Sequence, residues 1–316
     1  MHVTPRFDLL RALGMLGAAL LFLAGAPAAL AQPAPGKASP EESCKQCHVD
    51  YFSGYARSKH GTKADLRTPA NNGGCLACHG DAALDHAAKG GGRGVGGVLG
   101  FNDKKVSAET KSAVCLNCHQ GGKRIHWDRS EHAAADVSCA SCHQVHAAHD
   151  KARDKMTQTE VCFACHKEQR AQLRRPSRHP ILEGKVACSD CHNPHGTAGP
   201  KMLVRDSVND TCYTCHMEKR GPFVRSHEPV QEDCSICHNP HGTTTPALLK
   251  VRPPFLCQSC HEPTSHHSQV PDDTPAGGAN PVLGQAVIMA RGCVNCHTNI
   301  HGSNNAADGA GRGFRR

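Results

Sequence analysis

Apolar residues run together in only one part of this chain. Ala12 to Ala26 is an apolar stretch with Arg6 and Arg11 ahead of it and Ala29-Leu30-Ala31 behind it, just before Gln32. A short basic region, an apolar segment and a small-residue cleavage site make a secretory leader, removed after Ala31 and too short to anchor a protein as a membrane helix. The two arginines are not adjacent, which disfavours a twin-arginine route. No cysteine follows the boundary directly, which disfavours a lipid anchor. Beyond Ala31 no segment is apolar enough to span a bilayer. Leu, Val and Ile are scattered among polar residues, in a chain with 31 glycines and 20 prolines. That pattern predicts short helices, long irregular connections and almost no sheet.

Such sparse hydrophobicity would argue for disorder, were it not for the cysteines. All twenty fall into one pattern, Cys-x-x-Cys-His, written ten times. In chain order, motifs one to five are Cys44, Cys47 and His48; Cys75, Cys78 and His79; Cys115, Cys118 and His119; Cys139, Cys142 and His143; and Cys162, Cys165 and His166. Motifs six to ten are Cys188, Cys191 and His192; Cys212, Cys215 and His216; Cys234, Cys237 and His238; Cys257, Cys260 and His261; and Cys293, Cys296 and His297. Zinc sites and redox disulfides use paired cysteines but have no need of a histidine beside the second one. With 24 histidines in 316 residues, ten such neighbours in ten pairs are not coincidence. C-x-x-C-H is the attachment site of c-type haem. The thiols add across the two vinyl groups, and the histidine supplies one axial imidazole. The sequence therefore predicts ten covalently bound haem c groups, with the ten motif histidines as proximal ligands to iron. Haem attachment precedes folding, so export of an unfolded chain to the periplasm fits the leader.

Residues 32–316 leave 285 residues, or 28.5 for each haem. The porphyrins themselves then serve as the core, and thioether and iron–imidazole bonds restrict the unfolded chain as other cross-links do. The formal charge of +8 changes meaning in that light. Taking two arginines and one aspartate of the leader from 36 and 28 leaves 34 basic and 27 acidic residues, net +7. Two propionates on each of ten haems bring the loaded protein to about −13, so the basic residues read as compensation and not as a nucleic-acid surface.

Spacing carries the architecture. First cysteines follow one another at intervals of 31, 40, 24, 23, 26, 24, 22, 23 and 36 residues. Histidines recur with them. His132, His179 and His227 precede the fourth, sixth and eighth motifs, and His146, His195 and His241 lie three residues beyond their proximal histidines. The repeat is a two-haem unit with two spare histidines, and two copies share Cys-His-Asn-Pro-His-Gly, at Cys191–Gly196 and Cys237–Gly242. Repetition of this kind predicts a single elongated domain over 32–316, built of such units. The glycine-rich stretch Lys89 to Gly100, the segment Pro263 to Gly284 and the polar tail Gly302 to Arg316 read as surface loops or linkers.

Beyond the motifs, thirteen histidines follow Ala31: His60, His86, His126, His132, His146, His149, His179, His195, His227, His241, His266, His267 and His301. Ten distal ligands are needed, and only Met156, Met202, Met217 and Met289 offer an alternative, so bis-histidine coordination is expected throughout. His195 cannot wrap around the haem held by His192 only three residues away. A nearest-motif rule follows. His132, His179 and His227 serve the fourth, sixth and eighth haems, while His146, His195 and His241 serve the fifth, seventh and ninth. His60 goes to the second, His86 to the third, and His266 or His267 to the tenth. The first is left to His126 or His301, and His149 is not a ligand. An iron with two protein imidazoles has no open position, so the expected function is electron transfer and not catalysis.

In its ten motifs, its CHNPHG units, the stretch from Gln120-Gly-Gly-Lys-Arg-Ile-His-Trp127 through His132 to CASCHQVH, and the run CVNCHTNIHGSN at Cys293–Asn304, the chain resembles the periplasmic decahaem cytochromes of the MtrA/PioA/DmsE type. The resemblance covers essentially all of 32–316. It implies a row of haems seated in an outer-membrane β-barrel partner. Such a row relays electrons between periplasmic or inner-membrane quinol-linked cytochromes and an outer-surface multihaem cytochrome or reductase. Members serve extracellular metal or dimethyl sulfoxide respiration, or iron oxidation; the first motif comes 13 residues after Ala31, which disfavours the subgroup with a longer N-terminal extension. A soluble periplasmic shuttle and a multihaem reductase are the other readings, the last requiring one open iron.

Overall fold

The computed structural model describes residues 40–261, 293–295 and 297–305. The expected leader, His266, His267 and Cys296 lie outside them. Among the described residues there are thirteen α-helices and no strand, and no helix exceeds the nine residues of Val49–Arg57 and Ala108–Leu116. Helices start where a serine can cap them: Ser107, Ser130 and Ser207 accept hydrogen bonds from the backbone N–H groups of Thr110, Ala133 and Asp210. Each cap satisfies one of the donors that a helix start leaves free. Gly80, at φ +74°, ends the helix Leu76–His79.

The motif folds the same way all ten times. The backbone N–H of each motif histidine donates to the carbonyl of the first cysteine four residues earlier, at 2.9–3.0 Å. One helical turn puts positions i, i+3 and i+4 on a common face, so in the nine motifs described in full both thiols and the imidazole lie on one side of the backbone.

Polar side chains tie successive motifs into pairs. Ser112, three residues before Cys115, accepts from the Cys139 N–H, and Asn209, three before Cys212, accepts from the Cys234 N–H at 2.7 Å. Gln158, four before Cys162, accepts from the Ser189 N–H at 3.0 Å. Ser112 and Asn209 are buried, and buried polar groups of this kind must be paired. Motifs three and four, five and six, and seven and eight are thus each held from within.

Longer-range ties cross between units. Isolated antiparallel bridges join Ser177 to Thr243 and Arg225 to Ser303. Both join the segment two residues before an upstream histidine to the residue after a His-Gly pair. Gly242, at φ +140°, has no room for a side chain, because a Cβ would collide with the Gln172 carbonyl oxygen. After each CHNPHG unit the chain turns back on itself. Lys201 and Met202, both at φ 53°, and Ala247 and Leu248, at φ 57° and 60°, occupy the left-handed region without being glycine. Their turns bring Leu203 against His192 and Leu249 against His238 as further bridges.

Lys89 to Gly100 does more than link, because its carbonyls hold two histidines described below. The first residues of the tail are likewise structured, through the Arg225–Ser303 bridge. Few side chains are buried by protein alone; Leu173, Ala187, Trp127 and Ile181 are among them. The chain packs around its motifs and not around an aliphatic centre.

Candidate haem-binding sites

The histidine rings face one another in pairs. Ring centres lie 6.3 Å apart for His48 and His86, 6.0 Å for His79 and His146, and 5.9 Å for His119 and His60. The separations are 6.1 Å for His143 and His195, 6.0 Å for His166 and His132, and 6.1 Å for His192 and His241. They are 6.3 Å for His216 and His179, 6.0 Å for His238 and His301, and 6.0 Å for His261 and His227. An imidazole nitrogen sits about 2.0–2.1 Å from a first-row metal, with the ring centre roughly 1.1 Å behind it, so two imidazoles on opposite faces of one iron place their centres roughly 6.2 Å apart. Nine motif histidines meet that spacing, each with one non-motif histidine. The donor set fits haem iron.

The pairing differs from the nearest-motif rule at every described position. His132, His179 and His227 face the fifth, seventh and ninth motifs, one beyond those expected. His146, His195 and His241 face the second, fourth and sixth, three motifs back from those expected. His60 faces the third motif, His86 the first and His301 the eighth. The rule assumed that a ring reaches only an adjoining motif, whereas rings here are exchanged between units. His132 Nδ1 is anchored on the Pro194 carbonyl, 62 residues away, at 2.8 Å, and His179 Nδ1 on the Pro240 carbonyl, 61 away, also at 2.8 Å. Each anchor directly precedes the next unit's own spare histidine, His195 or His241. His227 also interacts with the backbone of Ile300, just before His301.

His126, expected as a possible ligand of the first haem, faces no other histidine ring among the described residues. It is exposed, and its carbonyl abuts Gly196. His149 ion-pairs with Asp154 at 3.1 Å. The choice between His266 and His267 lies outside the described residues.

The sequence did not reveal what holds the rings. A bond at Nδ1 fixes the tautomer and leaves Nε2 to bind a metal. Leu99, Lys201 and Ala247 carbonyls accept from Nδ1 of His79, His192 and His238 at 2.8–3.0 Å. The Val95 carbonyl takes His86 Nδ1 at 3.0 Å, and Asn193 Oδ1 takes His195 Nδ1 at 3.2 Å. His143 differs, for its Nδ1 donates to the carboxylate of Asp150 at 2.6 Å. Backbone acceptors carry no side-chain signature, and Asp150 is one acid among 28.

Burial keeps the rings in the ligating form. It holds His60, His146, His241 and His301 below the ordinary histidine value. Burial, then His143 and Arg124, takes His195 down to about 4. A buried imidazole is neutral because desolvation penalises its charged form.

The cysteines record which motifs are neighbours. First cysteines contact each other in motifs one and two (Cys44 and Cys75), three and four (Cys115 and Cys139), five and six (Cys162 and Cys188), seven and eight (Cys212 and Cys234), and nine and ten (Cys257 and Cys293). Second cysteines sense each other across the remaining junctions: Cys78 and Cys118, Cys142 and Cys165, Cys191 and Cys215, Cys237 and Cys260. The two kinds alternate, and all nine junctions follow chain order.

Residues 179–221 and 227–266 match the family model of the doubled CXXCH motif, and residues 75–157 match that of the cytochrome c-type protein NrfB-like family. The doubled-motif matches begin at His179 and His227, the upstream histidines of the two-haem unit. The multiheme cytochrome MtrA of Shewanella baltica (strain OS185) is 45% identical over 279 residues, covering 86% of this chain and 81% of that protein. The cytochrome c-type protein NrfB of Haemophilus influenzae is 30% identical over 167 residues, covering 46% of this chain and 72% of that protein.

Proposed function

The chain belongs to the MtrA family of multihaem c-type cytochromes, whose work is electron transfer, and from that premise we propose that it carries electrons through ten bis-histidine haems between the periplasm and the cell exterior. Nine of the haems are held by the nine facing ring pairs, each through the cysteines of its motif, and the tenth by His297 with His266 or His267. Haem supplies a one-electron carrier at each site. The chain's residues close both axial faces, fix eight of the rings through Nδ1 and exclude substrate from the metal. The single observation that carries this reading is the row of nine closed imidazole pairs at an iron-spanning distance. The alternating cysteine junctions support single-file passage from the first motif to the tenth.

The leader sends the chain to the periplasm and is removed after Ala31, and residues 32–316 act as one domain of repeated two-haem units. Among the described residues no helix is long and apolar enough to cross a membrane. The hydrocarbon layer is about 30 Å thick, so the haem row reaches the exterior inside an outer-membrane β-barrel partner. Its redox partners are periplasmic or quinol-linked inner-membrane cytochromes on one side and an outer-surface multihaem cytochrome or reductase on the other. The process served is metal or dimethyl sulfoxide respiration, or iron oxidation. The likeness to MtrA over most of both chains supports this assignment.

The test reconstitutes the haem-loaded protein with its barrel into liposomes holding a trapped redox dye. The expected result is transfer between the dye and external iron that needs both proteins; transfer indifferent to the barrel would overturn the conduit. Similarity to the NrfB c-type cytochrome over part of the chain favours a second reading, a soluble shuttle with the same haems. Copurification with a barrel separates the two. Cyanide binding by the resting protein, which six-coordinate irons resist, would instead favour a reductase.

A further inference from the structure

Asp150 is set apart by what it touches. Proximal histidines of the second, sixth and eighth motifs donate from Nδ1 to backbone carbonyls, of Leu99, Lys201 and Ala247. The fourth motif breaks the series, because His143 Nδ1 donates to Asp150 Oδ2 at 2.6 Å. The carboxylate is fixed on its other side too, since Oδ1 accepts from the Ala152 N–H at 3.1 Å and caps the turn Lys151–Arg153. Asp150 is largely buried, with 21% of its side chain exposed. Lysine 151 is committed elsewhere, to Glu160 at 2.7 Å. The carboxylate's charge is also felt at Cys142, on the same motif.

We propose that Asp150 is a positioning and tuning residue that makes the fourth haem harder to reduce than its second, sixth and eighth counterparts. An anion accepting from Nδ1–H pulls the proton toward itself and gives the ring imidazolate character, which strengthens donation to iron from Nε2. A more basic ligand favours the ferric state over the ferrous one. The reaction tuned is one electron passing to one iron from an adjoining haem, and no proton leaves the ring. Lys123 and Arg124 lie on the opposite, His195 side. They act through space on a neighbouring ring, whereas Asp150 acts through a hydrogen bond to the ligand itself. Asp150 also sits at a junction, because Cys139 contacts Cys115 and Cys142 senses Cys165. The proposal therefore places a raised step in energy between the third and fifth haems.

This inference rests on the haem reading of the His143–His195 pair, so its test scores that reading separately. Full-length, haem-loaded wild type, Asp150→Asn and Asp150→Glu are compared by haem count, by the fraction of low-spin haem and by spectroelectrochemical titration. An incomplete haem count or a high-spin fraction in the wild type would count against the haem reading itself. The expected result is that Asp150→Asn keeps all haems low-spin while one haem equivalent moves to higher potential, and that Asp150→Glu restores the wild-type curve. Superimposable curves for wild type and Asp150→Asn, or equal shifts in both variants, would overturn the proposal. The near-infrared charge-transfer band of the ferric wild type gives a readout that does not depend on variant assembly. One haem should absorb at higher energy than the other bis-histidine haems, and a single unsplit band would also overturn it.

Discussion

At the scale of single residues, sequence distance does not decide which ring a histidine faces. His195 illustrates this, because it sits three residues from His192 yet faces His143, 52 positions earlier. Replacing His195 with Ala should turn one low-spin haem high-spin, seen by electron paramagnetic resonance, and the affected haem should be the one at Cys139. Removing that haem through Cys139→Ala and Cys142→Ala should abolish the new signal, and removing the one at Cys212 and Cys215 should not. His126→Ala should leave the spin states unchanged, since its ring faces no partner ring. The cysteines and proximal histidines were legible in the sequence because their chemistry demands a fixed local spacing. Nine of the spare histidines expected as partners do face motif rings, but His126, expected among them, does not among the described residues. The partners of those nine were not legible, because the bond that orients His132 comes from a carbonyl 62 residues away and leaves no local trace.

At the scale of elements, short turns do the work that long helices do in other folds. Two positions test this from opposite directions. Gly242 is left-handed and pressed against the Gln172 carbonyl, so Gly242→Ala should cost about 1–3 kcal/mol, read as a lower thermal midpoint. Lys201 pays the left-handed penalty that glycine avoids, about 1–2 kcal/mol, against a glycine entropy cost of about 0.5–1 kcal/mol. Lys201→Gly should therefore leave the thermal midpoint unchanged or raise it by the equivalent of up to about 1.5 kcal/mol. The sequence predicted helices that are short and a sheet that is nearly absent, and scattered apolar residues made both readable. It did not reveal the left-handed turns, because Lys201-Met202 and Ala247-Leu248 contain none of the residue types that normally mark such turns. Nor did it reveal the role of Lys89 to Gly100, whose composition signals a loop but not that Val95 and Leu99 hold two ligands.

At the largest scale, histidine ring pairs formed between units lace the described chain together. Motif two waits for His146 beyond motif four, and motif eight for His301 beyond motif ten. A chain ending after Asn299 would keep every cysteine but lose His301. It should therefore show one high-spin haem, and that haem should be the eighth, at Cys234, and not the tenth beside the cut. Cyanide binding to a single site, abolished by Cys234→Ala and Cys237→Ala, checks it. This lacing means that damage appears at a distance from its cause.

The alternating cysteine contacts have one more consequence. First cysteines meet at one junction and second cysteines at the next, so each of the eight inner motifs turns one thiol to the neighbour before it and the other to the neighbour after it. Among the described residues these thiol interactions join only motifs adjacent in chain order. On the proposed electron-transfer reading, the sites joined by these described contacts stand in series. Resistances in series add, so the slowest step weighs most on throughput and improving a fast one gains little. A fault at one position does not dim the flow in proportion but interrupts it, leaving two stretches that each fill with charge from their own end.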